Sequence, residues 1–318
     1  MKERFLRVLI LICLISLMGC GSQEKDRHTF LFLTRPLVSD FHSLVVKGAK
    51  HASDDKQITL KVSQPKIDYD FDYQIKEIKK VIKEKNINGV ILTPNHSSHL
   101  LDALLELDKH GIPFIVVDTP LDLRNAQYTF RYYCGYVGTD NQYGGKLAAQ
   151  FIIHTMKQGK ILMIRGINDH QSSRDREIGF LNHVKKYPHF AIIRFINGRW
   201  DEDITKNILS ELPSYLLNNI DAIFAYNDEM ALGAAHFFSH RKSRPLIIGY
   251  DGLVEVQKKI LEEKIDATIA QVPDIMGEVA IKQLVNCIEK KNYDQRTVLT
   301  HVTLIKLTKT LTYISKLD

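Results

Sequence analysis

Ala222–Ala234 reads AIFAYNDEMALGA, an apolar run broken by Asn227, Asp228 and Glu229 and resumed at once with small and apolar residues. A short apolar run that meets polar residues and then a helix-forming segment is the pattern of a buried strand turning into a helix. The same pattern recurs along the chain. TFLFLT, ITLKVS, GVILTP and IPFIVVD are strand-like and bounded by turn residues, with segments of helical period between them. In one of these, Ile75, Ile78, Val81 and Ile82 fall three and four apart and make a single buried stripe. From YCGYVGT the alternation begins again, through KILMIRG, AIIRFING, DAIFAY and PLIIGYD. Helices are expected to start near Gln142, Ser172, Asp201, Glu229 and Leu253.

Strands alternating with helices predict parallel sheets covered on both faces. The series is too long for one small sheet and breaks at Leu121–Arg131, where LDLRNAQYTFR lacks clean period. The expected fold class is therefore α/β, with two similar Rossmann-like lobes, parallel sheets and a hinge. The expected division is a first lobe of 28–137 plus 272–298 and a second of 138–271 plus 299–318. The last extended run, HVTLIKLTKTL, is of a kind that crosses back to finish the first lobe.

With 318 residues and 44% hydrophobic content, the chain can fill two cores, which excludes disorder. A formal charge of +6 with scattered Lys and Arg gives no basic stripe, so no nucleic-acid partner is expected. The start is different in kind. MKERFLR is followed by the eleven apolar residues VLILICLISLM, too few for a bilayer core that needs about twenty in a helix. Residues 1–19 therefore read as a leader and 20–27 as a polar tether. Cys134 and Cys287 are far apart in sequence; an oxidising compartment leaves their pairing open, and separate buried thiols are the expected state. No CxxC is present, and His96 and His99 lack further ligands, so neither a metal nor a cofactor is expected.

In open parallel sheets ligands lie beyond the carboxyl ends of the strands. Asp118, Asn227 with Asp228, Asp251 and Gln271 stand at such ends, and Arg174 follows LMIRG closely. Asp118 and Asp251 are acceptors, Arg174 is a rigid donor fork, and Asn227 and Gln271 offer both functions, a set that suits a small hydroxyl-rich molecule. Phe41 and the single tryptophan, Trp200, supply flat apolar faces on which sugar rings pack. Taken singly, each has another reading. Asn227 or Asp228 can cap the following helix, Trp200 can be core, and Arg174 can pair with Asp175 or Glu177. Recurrence at five successive strand ends favours a site.

FAYNDEMALGA, IIGYDG and ATIAQVPDIMG, in that order and spacing, resemble signature segments of the periplasmic ribose-binding protein and its relatives, the type I sugar-binding proteins of ABC transporters. GTDNQYGGKLAAQFI is similar to their lobe-crossing strand and the helix after it. The resemblance implies ligand contacts at Phe41, Asp118, Arg174, Trp200, Asn227, Asp251 and Gln271, with no catalytic residue. Two departures stand out: Ser39-Asp40-Phe41-His42 replaces an Asn and an aromatic run, and Thr119 replaces an Arg. Together they remove a charged donor, for which His42 is the candidate substitute, and leave the choice among pentose, hexose and related polyol open. Leu17-Met18-Gly19-Cys20 resembles a bacterial lipobox, with Met18 the less usual residue, and implies a lipid on Cys20.

The expectation is an extracytoplasmic, lipid-anchored, monomeric binding protein that closes on a monosaccharide and delivers it to an ABC transporter permease. The rival is a sensory co-receptor for a chemoreceptor or histidine kinase, reading a sugar or a furanosyl autoinducer. A repressor would need an N-terminal helix-turn-helix, and an enzyme a nucleophile, phosphate loop or metal spacing that the chain lacks. Within the opening stretch, Asn227 is expected to face the ligand and Asp228 to support the loop. Glu229→Ala is expected to leave binding nearly unchanged.

Overall fold

The computed structural model describes residues 28–307 apart from 38, 68–69, 125–127, 242, 292 and 294–295. The expected leader, the tether and Cys20 lie outside the described residues. Among the described residues no helix is long and apolar enough to cross a membrane.

The first sheet holds β1 (Thr29–Leu33), β2 (Thr59–Ser63), β3 (Gly89–Leu92), β4 (Phe114–Val117), β5 (Tyr133–Thr139) and β11 (Thr297–Thr300), in the order β11-β5-β4-β3-β1-β2. All of its pairings are parallel. The second sheet holds β6 (Gly159–Arg165), β7 (Phe190–Asn197), β8 (Ala222–Ala225), β9 (Leu246–Asp251), β10 (Ala267–Ala270) and β12 (Thr303–Lys306), in the order β12-β10-β9-β8-β6-β7. The two orders are the same arrangement used twice. Each sheet reverses direction of winding next to its first strand, between β1 and β3 and between β6 and β8, and so opens a crevice at the carboxyl ends there.

Burial explains the sequence pattern. Every residue of β3, β4 and β8 is buried, which is why these strands read as unbroken apolar runs. In β1, Phe30 and Phe32 enter the core on one face of the sheet while Leu31 and Leu33 enter the other. Helices α1 (Asp40–Asp55), α2 (Phe71–Glu84) and α3 (Leu101–Lys109) belong to the first lobe together with α10 (Pro273–Lys290), which packs on α1. Helices α4 (Asn141–Thr155), α5 (Gln171–Val184), α6 (Glu202–Glu211), α7 (Ser214–Leu217), α8 (Asp228–Phe238) and α9 (Val254–Leu261) belong to the second. The α4–α5 pair approaches so closely that a Cβ on Gly179 would stand 1.9 Å from the carbonyl oxygen of Gln142.

The chain passes between the lobes after β5, after β10 and after β11. Strand β5 extends to Thr139 and β11 to Thr300, pairing end to end, so both handovers fall two residues beyond the expected 137 and 298. The tail differs from the expectation that HVTLIKLTKTL finishes the first lobe. The first sheet is finished by β11, whereas the strand within HVTLIKLTKTL is β12, which runs antiparallel to β10 in the second sheet. A two-residue connection from β11 leaves no room for the helical crossover that a parallel partner within one sheet would need.

Cys134 on β5 and Cys287 on α10 form a disulfide, with Cα atoms 5.9 Å apart, which corrects the expectation of separate thiols. The packing of α10 on the first sheet brings together positions separated by 153 residues. Cys134→Ala with Cys287→Ala is expected to lower unfolding stability by about 2 to 5 kcal/mol, the usual cost of losing a disulfide, read as a lower urea midpoint.

Candidate functional site

A cavity of about 390 Å³ lies at the two switch points, within the size range of small-ligand sites. From the first lobe it is lined by the loop after β1, the start of α1, the loop after β2 and Asp118. The second lobe contributes the first turn of α5, the loop after β7, Asn227 with Glu229, Asp251 and Gln271.

Seven of the eight expected ligand residues line it: Phe41, His42, Asp118, Trp200, Asn227, Asp251 and Gln271. Phe41 and His42 stand edge to face, 5.4 Å between ring centres, in the first turn of α1. Asp118 follows β4 in a left-handed conformation (φ 66°), held by the Tyr136 hydroxyl donating to its carbonyl at 2.6 Å. Trp200 also has positive φ (66°), as does Arg199 before it (56°), so this loop spends backbone strain on turning the indole inward. The ring lies against Gly166, where an added Cβ would come within 2.1 Å of it. Any larger residue at 166 would displace the aromatic wall.

Arg174 is the exception. Its guanidinium bonds Gln171 Oε1 at 2.7 Å and the Asn168 carbonyl at 3.1 Å and reaches Asp122 of the first lobe at 3.7 Å, on the rim outside the cavity. On this helix the arginine that lines the cavity is Arg176. Helix α5 begins at Gln171, so Ser172 and Arg176, four apart, share the inner face, while Arg174 lies half a turn away. Arg176 is 3% exposed. Its Nε donates to Asn141 Oδ1 at 2.8 Å, its Nη1 donates to the Tyr226 carbonyl and stands 3.9 Å from Asp251, and its guanidinium lies 3.6 Å over the Tyr250 ring. The sequence signal for it was the four-residue spacing from Ser172.

Asn227 serves two ends at once. Its Oδ1 accepts from the Met230 N–H at 2.9 Å, capping α8, while Nδ2 donates to the Trp200 carbonyl at 3.3 Å and to Glu229 Oε2 at 2.5 Å. Asn227 is thus the cap of α8 and also lines the cavity. Asp228 points away from the cavity and is fully buried, its oxygens accepting from the Leu253 N–H at 2.7 Å and the Thr268 hydroxyl at 2.7 Å. Glu229 lines the cavity as well, and its Oε1 accepts from Ser39 Oγ of the first lobe at 2.8 Å. Gln271 accepts from Thr139 Oγ1 at 2.5 Å and donates to Asp251 Oδ1 at 2.6 Å, tying two of the interlobe passages together. Arg35, on the loop after β1, is buried and lines the wall, so the first lobe supplies a charged donor although position 119 is Thr.

Burial dominates the electrostatics. It pushes Asp251 well above the usual carboxylate range, with Arg176 pulling it back and Glu229 and Asp228 adding to the rise. Glu229 is raised by burial against the Ser39 hydroxyl and the Arg35 charge. For Asp228, burial outweighs the Thr268 and Leu253 donors and pushes it up to about 7 from 3.8. A group whose folded pKa lies above its unfolded value lends stability that is complete below the unfolded pKa and is lost as pH rises through the folded one. The urea midpoint of the ligand-free protein is therefore expected to fall between about pH 4 and about pH 7, and Asp228→Asn to flatten that fall.

Among the described residues no group of His, Cys, Asp and Glu is placed to hold a metal ion. The wall instead mixes carboxylates, guanidinium groups, amides, hydroxyls and an indole, an arrangement able to give and accept hydrogen bonds around one small polar molecule.

The chain is similar to known proteins. The family described as "Periplasmic binding protein domain" matches residues 30–292. The ribose import binding protein of Bacillus subtilis is 25% identical over 283 residues, 87% of each chain. The D-allose-binding periplasmic protein of Escherichia coli is 25% identical over 265 residues, 81% of this chain and 83% of that one. Among solved structures, an ABC transporter periplasmic solute binding protein from Actinobacillus succinogenes with bound D-allose aligns at a TM-score of 0.78 and 26% identity, covering 88% of this chain and 98% of the other.

Proposed function

The chain belongs to the periplasmic binding protein domain family, whose members are extracytoplasmic binding proteins and not enzymes, and from that premise we propose that it closes on a monosaccharide and hands it to an ABC transporter permease. The observation that carries this reading is the cavity walled from both lobes by groups that both donate and accept, with Trp200 as a flat face. A sugar removed from water needs each hydroxyl to keep a donor and an acceptor, and Asp118, Arg176, Asn227, Asp251 and Gln271 provide them. Phe41 and Trp200 pack the ring's apolar faces, and His42 completes the first-lobe wall. Because both lobes touch the ligand, binding favours the closed state by its differential affinity.

The relatives named above are ribose and D-allose binders, and these two sugars head the candidates. Calorimetry with D-ribose, D-allose and D-arabinose is expected to give one-to-one binding to at least one, and no heat from any of them overturns the reading. The lipid on Cys20 is a separate part of the proposal. Cys20→Ser is expected to release the protein from the membrane fraction, and unchanged partitioning counts against the anchor.

A further inference from the structure

His170 is fully buried at the N-cap of α5, yet its ring does not cap that helix. Its two ring nitrogens face different lobes. The Trp200 indole Nε1, which can only donate, gives its hydrogen to His170 Nδ1 at 3.1 Å. Nδ1 must then be the bare nitrogen, and the ring proton sits on Nε2, where it is donated to the Asn95 carbonyl of the first lobe at 2.8 Å. One neutral tautomer satisfies both contacts. The Asn95 loop follows β3, at the first lobe's switch point, and next to this contact Ser97 Oγ accepts from the Gln171 N–H at 3.0 Å.

We propose that His170 is a positioning residue that couples the aromatic wall of the cavity to lobe closure. Through Nδ1 it fixes the angle of the indole against the ligand, and through Nε2 it fastens the second lobe to the first. The wall is set by the same side chain that holds the lobes together, so ligand release requires the Asn95 bond to break. This inference rests on the sugar-binding reading of the cavity.

Two conservative substitutions separate the two bonds. An Asn oxygen falls near the position of Nδ1, and a Gln amide nitrogen near that of Nε2. Trp200 is the only tryptophan, so its emission reports the indole directly. With D-ribose and D-allose in stopped-flow experiments, H170N is expected to keep the native emission of the free protein while the sugar dissociates about tenfold faster, the effect of one lost hydrogen bond. H170Q is expected to dissociate at the native rate while its emission moves to longer wavelength as the freed indole N–H turns to water. W200F keeps a ring but no donor and is expected to weaken binding by about tenfold. Native rates and native emission in both His170 variants, the same change in both, or unchanged affinity in W200F overturns the proposal. Should the unaltered protein bind neither sugar, the sugar reading fails on its own, and the emission of the ligand-free variants decides the relay. A shift in H170Q absent from H170N supports it, and no shift overturns it.

Discussion

Arg176→Ala is expected to abolish detectable sugar binding and to lower unfolding stability by about 3 kcal/mol, the lower end of what breaking a buried ion pair costs. The guanidinium is held by Asn141, the Tyr226 carbonyl and the Tyr250 ring, and it is the cation beside Asp251. Its removal leaves two buried acceptors without their donor. The low end of the range applies because Asp251, already raised by burial, can take up a proton instead of remaining a stranded charge. Calorimetry and urea unfolding read the two effects separately. Arg174→Ala is the control: a rim side chain about a third exposed, whose loss is expected to cost under about 1 kcal/mol and to change affinity only a few-fold. Loss of binding in Arg174→Ala with binding kept in Arg176→Ala would reverse the assignment.

Asn227→Ala is the second large effect. It removes the α8 cap, about 1 kcal/mol of stability, and with it the amide that joins the Trp200 carbonyl and Glu229. Sugar binding is expected to vanish while the circular dichroism spectrum stays native. Its neighbour is expected to matter more than the sequence suggested. Glu229→Ala removes the acceptor for Ser39 across the cleft, so affinity should fall by about tenfold. Unchanged affinity in Glu229→Ala would restore the earlier expectation.

These contrasts show what the residues revealed and where they stopped. The parallel sheets were legible because buried strands carry unbroken apolar runs and each is followed by a helix of clear period. Asp118, Asn227, Asp251 and Gln271 were legible because a polar residue at the carboxyl end of such a strand has few places to point. Arg174 was expected in the site and Arg176 was missed because which arginine faces inward depends on helical phase, and α5 begins at Gln171. Glu229 was underrated for a different reason: its partner, Ser39, lies 190 residues away in sequence. The disulfide and the destination of β12 belong to the same class, since both depend on which distant segments the packing brings together.

The late strands β11 and β12 have a consequence for the order in which the molecule can form. Each is the outermost member of a different sheet, and both lie beyond residue 296 of the chain. Neither half is a continuous piece of polypeptide, so a chain emerging from the ribosome can finish neither sheet until the residues beyond 296 have followed. During synthesis both sheets keep an open edge, and the nascent chain stays short of its native state.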